Sequence, residues 1–207
     1  MAIKIEMFPL GPLQTNCYVI ISEEEQRAIV IDPGMNPDRV VERVKDMQVD
    51  AILLTHAHFD HIGGVDRIRK LHNCPVYLHA AESRWLGDAA LNGSERWSDV
   101  TAPIVTDDAE HELFDGQTLV FLGQEINVIH TPGHSPGSVS FWMGDVLFGG
   151  DVLFRMGVGR TDLPGGSWKE LAQSISYLFT LKEETAVMPG HGPKTTIGYE
   201  KQNNPYV

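Results

Sequence analysis

The feature that most constrains this chain is an apolar strand running straight into a cluster of ligand-type side chains. Residues 51–54 (AILL) are followed at once by Thr55-His56-Ala57-His58-Phe59-Asp60-His61. In extended backbone, positions i and i+2 project to one side, so His56 and His58 can grip one ion together. Asp60 and His61, beyond the bend, can face a second ion nearby. Burying such donors without partners costs several kcal/mol for each group, a cost that a cation removes. The chain therefore has to end a buried strand where a polar site can open, at the boundary between rigid scaffold and loop.

Three later segments repeat this arrangement. The stretch His130-Thr131-Pro132-Gly133-His134-Ser135-Pro136-Gly137 closes a strand predicted over 126–131. Gly149-Gly150-Asp151 follows one over 146–148, and Pro189-Gly190-His191-Gly192 follows one over 185–188. A lone His-x-His pair is weak evidence, because most histidines are surface or core residues. The HxHxDH cluster followed in order by GHS, GGD and GHG is a specific signal.

Around these loops the pattern alternates between strand and helix. Strands are predicted over 4–9, 17–22, 28–32, 51–55, 75–78, 118–122 and 138–143, in addition to those above. Asn36-Pro37 reads as a helix start, with Val40, Val41, Val44 and Met47 at helical spacing. Val65, Ile68 and Leu71 mark a second helix. A third begins at the capping box Ser167/Glu170 and continues through Trp168, Leu171, Ile175 and Leu178. Between about 80 and 106 the pattern is less regular, and Trp85, Leu86 and Trp97 read as a helical cover over the sheet. No linker or low-complexity tract breaks the chain, so 1–207 reads as one domain of two packed sheets with helices outside.

Composition narrows the partners. Sixteen Lys+Arg against 28 Asp+Glu leave a formal charge of −12, which argues against nucleic acid and anionic membrane surfaces as partners. No apolar run reaches the roughly 18 residues of a bilayer span. The first residues show no basic segment followed by an apolar core, so no secretory leader is expected. Cys17 and Cys74 have no CxxC spacing, and reduced thiols in the cytoplasm are the expectation. Oligomeric state is not legible.

The motifs resemble those of the metallo-β-lactamase-fold hydrolases, over almost the whole chain. Asp32-Pro33-Gly34 resembles that superfamily's first motif. The implied fold is α/β (α+β), a four-layer αββα sandwich with the site along one edge between the sheets. Within the superfamily the chain looks most like the short form of the glyoxalase II (hydroxyacylglutathione hydrolase) group. TNCYVI, IDPG, THAHFDHIGG, HTPGHSPGS, GGDVLF and GRTDLPGG carry that resemblance. It implies a first metal on His56, His58 and His134, a second on Asp60, His61 and His191, and Asp151 bridging the two. Asp60 and Asp151 become the catalytic carboxylates. N and O donors without thiolate suit zinc, iron or manganese; two zinc ions are the expectation, with iron or manganese compatible. The implied reaction is hydrolysis of a small-molecule thioester such as S-lactoylglutathione through a metal-bridging hydroxide. The alternative is a mononuclear-iron persulfide dioxygenase using His56, His134 and Asp151.

One departure matters. Longer glyoxalase II enzymes bind glutathione through basic residues of a C-terminal extension. Here 16 residues follow His191, with Lys194 and Lys201 the basic ones, so the thiol carrier is not transferred. A nuclease of this fold is disfavoured by the negative charge. A secreted β-lactamase is disfavoured by the start of the chain and by Asp151, where that group has cysteine. A metal-stabilised binding module without turnover is the non-enzymatic alternative.

Other residues have plainer readings. Asp32 is expected to orient a metal ligand or tie down a loop. His130 reads as a satisfied structural histidine, and His72, His79 and His111 as structural or exposed. Met7, Trp85, Trp97 and Trp168 read as core or cover. Arg155 and Arg160 are the candidate substrate contacts, balanced against a glycine-rich turn in which Arg160 pairs with Asp162.

Overall fold

Strand alternation builds the layers of this computed structural model, which describes residues 3–207. β1 (Ile3–Leu10), β2 (Thr15–Ser22) and β3 (Arg27–Ile31) form an antiparallel meander. After α1 (Asp38–Val44), β4 (Gln48–Leu53) joins β3 in parallel. α2 (Phe59–Ile62) and α3 (Val65–His72) precede β5 (Val76–His79) and β6 (His111–Leu113), which complete the first six-stranded sheet. Cys17, Val19, Ile21, Ala28 and Val30 point outward to Val40, Val44, Ile62, Val65 and Ile68 of the helices. The alternate residues Tyr18, Ile20, Ile29 and Ile31 point inward. Both faces are covered, which is why these strands read as continuous apolar runs.

The second sheet comes from β7 (Thr118–Phe121), β8 (Gln124–His130), β9 (Val139–Met143) and β10 (Val146–Gly150). A small hairpin, β11 (Leu153–Phe154) and β12 (Gly157–Val158), follows, then α4 (Trp168–Leu178). β13 (Ala186–Pro189) pairs with β10 in parallel, and β14 (Thr195–Thr196) and α5 (Ile197–Asn203) close the chain. Leu119, Ile126, Val128, Phe141 and Phe148 pack on the first sheet's inner face. Ile129, Leu147 and Val187 turn outward onto Leu171, Ile175 and Leu178 of α4 and Ile197 of α5. The result is the expected αββα sandwich. No described helix is long and apolar enough to cross a membrane.

Several local expectations are corrected. Asn36 does not cap α1: it takes a left-handed φ of 56°, and Pro37 occupies the cap position without a side-chain bond. Met47 is buried just past the helix end rather than within it. The segment 80–106 forms no α-helix, only two short 3-10 turns, Ala80–Glu82 and Ser94–Trp97. Buried Asn92 organises it: its side-chain amide donates to the Trp85 and Ile104 carbonyls, and its carbonyl oxygen accepts from the Ser94 N–H and hydroxyl. Side chain–backbone bonds thus replace the helix ladder. Trp85 is buried, but Met7 and Trp168 are 44% and 49% exposed, so neither is core. β6, β14 and α5 carry too few apolar residues to be read from periodicity.

Candidate metal centre

All four ligand-bearing loops meet at one rim, because the strand ends that carry them are tied across the two sheets. The Val139 N–H donates to the Thr55 carbonyl at 2.8 Å, joining the loop after β4 to the start of β9. The Asn16 N–H donates to the Gly190 carbonyl at 2.7 Å, and the Tyr18 hydroxyl donates to the Pro189 carbonyl at 2.7 Å. Gly190 in turn donates to the Gly150 carbonyl. A side chain at 190 would strike the Asp151 carboxylate and His61, so glycine is required there by close approach. At Gly133, with φ +131°, a Cβ would enter the backbone of Leu171.

The seven predicted ligands converge. His56, His58 and His134 place ligand atoms within 4.8 Å of one another, as do His56, His61 and Asp151, and Asp60, His61 and His191. Asp151 faces both histidine groups: its Oδ2 lies 3.6 Å from Nε2 of His134 and of His191, and its Oδ1 3.4 Å from Nε2 of His61. Asp60 Oδ2 lies 3.1 Å from His191 Nε2 and accepts the Thr15 hydroxyl at 2.7 Å.

Outer contacts orient the rings. His61 Nδ1 donates to Asp32, His134 Nδ1 to the Arg160 carbonyl and His191 Nδ1 to the Leu13 carbonyl. His56 Nδ1 meets the Thr55 hydroxyl, which itself donates to Asp32. Four histidines therefore turn Nε2, rather than Nδ1, toward the centre, the arrangement by which proteins fix the tautomer of a metal ligand. Nδ1 of His58 lies 2.9 Å from Nε2 of His134. His56 Nε2, His58 Nε2, His61 Nε2 and Asp151 Oδ1 are buried without a hydrogen-bond partner. Orphaned buried donors and acceptors are costly, and a divalent-cation pair fits this set.

Protonation supports the same assignment. Burial holds His56 well below its ordinary value and lowers His58 to about 3 and His134 more modestly, leaving lone pairs. Burial opposes charge on His61 too, but Asp60, Asp151 and Asp32 outweigh it and raise its pKa. For His191, burial is outweighed by the hydrogen bond to Asp60 and the charge of Asp151. Burial disfavours the charged forms of Asp60 and Asp151 as well. The surrounding histidines, led by His61, reverse this and hold Asp151 down to about 2 and Asp60 lower still.

A cavity of about 420 Å³ opens over the cluster. Arg160 lines it, with its guanidinium paired to Asp162 by two 2.7 Å hydrogen bonds, as the glycine-turn alternative expected. Arg155 does not line it: its guanidinium lies 5.2 Å from the centre of the Tyr199 ring, in a separate surface depression with Lys194. The hairpin β11–β12 turns Arg155 toward Tyr199, so the structure does not bring it to the cavity over the cluster as the sequence expectation had it. His130 donates to the Pro136 carbonyl and stacks on His79 at 4.2 Å, giving His79 a partner that sequence spacing does not reveal.

Three contributors escape sequence reasoning. Glu82 is fully buried and accepts the Ala57 N–H at 2.6 Å and the Gly137 N–H at 2.7 Å, clamping the first ligand loop to the second. Burial raises its pKa, and those hydrogen bonds offset part of the shift. Nothing in AAES distinguishes it from a solvated glutamate. Arg96 and Trp97, in the irregular segment, line the cavity.

Fold and site together define a metallo-hydrolase. The chain matches the Metallo-beta-lactamase superfamily over residues 10–191 and belongs to it. It is 43% identical to a probable metallo-hydrolase, YqgX of Bacillus subtilis, covering 99% of this chain and 97% of that one. It is 32% identical to the hydroxyacylglutathione hydrolase GloC of Haemophilus influenzae, covering 99% and 98%. Among solved structures, BLEG-1 B3 metallo-beta-lactamase superposes with a TM-score of 0.93 at 46% identity, over 98% and 99% of the two chains. TTHA1623 in a di-iron-bound form gives 0.85 at 39% identity, over 98% and 100%.

Proposed function

We propose that this protein is a two-metal hydrolase acting on a small thioester, of which S-lactoylglutathione is the first example to test. The observation that carries the reading is the convergence of seven candidate N/O ligand residues, among which His56 Nε2, His61 Nε2 and Asp151 Oδ1 are buried without a hydrogen-bond partner. His56, His58 and His134 would hold one cation, Asp60, His61 and His191 the other, with Asp151 facing both. The donor set suits zinc, and iron or manganese equally in kind. Divalent cations bound there would supply activated water near neutral pH and Lewis acidity toward a carbonyl.

The chain's own residues account for the rest. The buried imidazoles of His56, His58 and His134 stay neutral, and ionised Asp60 and Asp151 keep their carboxylate oxygens available. Among the described residues lining the cavity there is no serine or cysteine to act as a nucleophile. The leaving thiol, with a pKa of about 8.5, departs as thiolate without a strong general acid. Likeness to GloC supports a thioester in particular. Likeness to BLEG-1 brings a β-lactam back among the substrates to assay, despite its disfavour on sequence grounds.

The test is turnover by protein of measured metal content, with dissolved oxygen followed in the same cuvette. Thioester loss at constant oxygen is the expected result. Oxygen uptake with a persulfide, or β-lactam cleavage without thioester cleavage, would overturn it.

A further inference from the structure

The cavity wall opposite to sequence expectation supplies a recognition element. Besides Asp60 and Asp151, which belong to the metal cluster, the ionisable acids and bases lining the cavity outside the histidines are Arg96 and Arg160. Arg160 is occupied: both forks of its guanidinium rest on Asp162. Arg96 makes no ion pair or side-chain hydrogen bond with any described residue, and its side chain is exposed. Its neighbour Trp97 packs on Phe59 at 6.1 Å between ring centres, and Phe59 stands between His58 and Asp60 in the chain.

This wall is built in advance of any ligand. The Phe59 N–H donates to the Asn92 carbonyl at 3.0 Å, and the buried Asn92 side chain pins the turn that carries Arg96 and Trp97. The remaining surface is largely apolar, with Leu91, Phe154 and Leu163 among its residues. A single unpaired cation at the rim of an apolar cleft recognises a molecule with an apolar body and one anionic end.

Resting on the thioesterase reading above, we propose that Arg96 and Trp97 are specificity residues for thioesters bearing a terminal carboxylate. The guanidinium of Arg96 pairs with that carboxylate, and the Trp97 ring covers the apolar stretch between it and the scissile carbonyl. The carboxylate can lie on the thiol half or on the acyl half, and the experiment separates these.

Three matched thioesters are compared: an acetyl ester of N-acetylcysteamine (neutral), an acetyl ester of 3-mercaptopropionate, and a succinyl ester of N-acetylcysteamine. In the wild type, one carboxylate-bearing ester is preferred over the neutral one, and its identity names the half. In Arg96→Ala that preference falls by about tenfold or more, chiefly through KM, as expected for losing a charge-assisted hydrogen bond. Arg96→Lys restores part of it, and Lys169→Ala, an exposed cation outside the cavity, leaves the preference unchanged. A preference that is absent in the wild type, or unmoved in Arg96→Ala, overturns the inference.

A second readout is independent of turnover. Binding of S-ethyl-3-mercaptopropionate and of its amide is followed by quenching of tryptophan fluorescence. Tighter binding of the acid, lost in Arg96→Ala, supports the inference even if no thioester is cleaved and the thioesterase reading falls. Equal binding of acid and amide overturns it even if thioesters are cleaved.

Discussion

Asp32 Oδ2 lies 3.0 Å from Nδ1 of His61, and the two residues are almost completely buried. The same carboxylate accepts the Thr55 N–H at 2.8 Å and the Thr55 hydroxyl at 2.6 Å. It thereby joins the end of β3 to the loop after β4 and to α2. Asp32 adopts φ +49°, a left-handed conformation uncommon for a residue with a side chain. Such strain costs of order 1–3 kcal/mol and persists only where surrounding contacts over-determine it.

Removing that carboxylate should loosen the metal site before it unfolds the protein. Asp32→Ala leaves the buried Thr55 N–H without an acceptor and frees His61 to change tautomer. Loss of an outer partner of this kind typically weakens metal affinity about 10–100-fold. Asp32→Asn, which keeps the shape but aims an amide at His61 or Thr55, should also bind more weakly than wild type. Competition with a chromophoric chelator measures this directly, and unchanged affinity in both variants would refute the orienting role.

The Glu82 clamp makes a different prediction, because it touches backbone rather than ligands. Glu82→Ala strips acceptors from the Ala57 and Gly137 N–H groups, both buried. An unsatisfied buried donor costs about 1–3 kcal/mol, and 1 kcal/mol moves Tm by roughly 2–4 °C in a domain of this size. Thermal denaturation should therefore shift down by several degrees up to about 20 °C. Glu82→Gln, with one acceptor and one donor where two acceptors stood, should fall between. A shift below 2 °C for the alanine variant would mean that water replaces the carboxylate.

These two residues show where sequence reading succeeds and where it stops. The convergence of the seven candidate ligands was legible because chemistry concentrates them: HxHxDH packs its donors into six residues, and each later candidate sits beside glycine. The layers were legible because strands 17–22 and 28–31 alternate between two apolar faces, so both read as unbroken hydrophobic runs. Glu82 was invisible because its partners, Ala57 and Gly137, are 25 and 55 residues away and contribute only main-chain N–H groups. The cover over 80–106 was misread as helical because its order comes from Asn92 bonding to distant carbonyls, a device with no periodicity. Arg155 was expected beside the cluster and lies elsewhere, because proximity to Asp151 in sequence says nothing of how the hairpin β11–β12 turns it toward Tyr199.

Gly190 offers a steric test of the centre. A methyl group there would collide with the Asp151 carboxylate and approach His61 Cε1 at 2.8 Å. Neither can retreat freely: Asp151 is flanked by His61, His134 and His191, and His61 is held by Asp32. Gly190→Ala should therefore lower metal stoichiometry or affinity, while the far end of the sandwich is unaffected. Metal analysis after gel filtration, alongside far-UV circular dichroism, separates the two effects. Full metal content with wild-type affinity would show that the rim yields more easily than its contacts imply.

The metal-free protein should show a stability maximum near neutral pH, set by histidines that pull in opposite directions. His56, His58 and His134 have depressed values, dominated by burial, so the fold keeps them neutral while the unfolded chain protonates them below its ordinary value of 6.5. As pH falls through 6.5 the unfolded chain gains protons that the fold refuses, and stability drops. His61 and His191 have raised values, because carboxylates outweigh their burial. They are protonated in the fold, and the stability they contribute below 6.5 is lost as pH rises toward their folded values. The two sets of histidines thus give slopes of opposite sign, which cancel in the neutral range. Asp60 and Asp151 stay ionised through this window and do not move it. Urea denaturation of chelator-treated protein from pH 5 to 8 should accordingly give a dome with steep loss on its acid side. Saturating zinc should raise the whole curve and flatten its alkaline limb, since cations replace the protons on His61 and His191. A profile that is flat, or that climbs steadily to pH 8 without metal, would show that these five imidazoles do not share one charged, buried cluster.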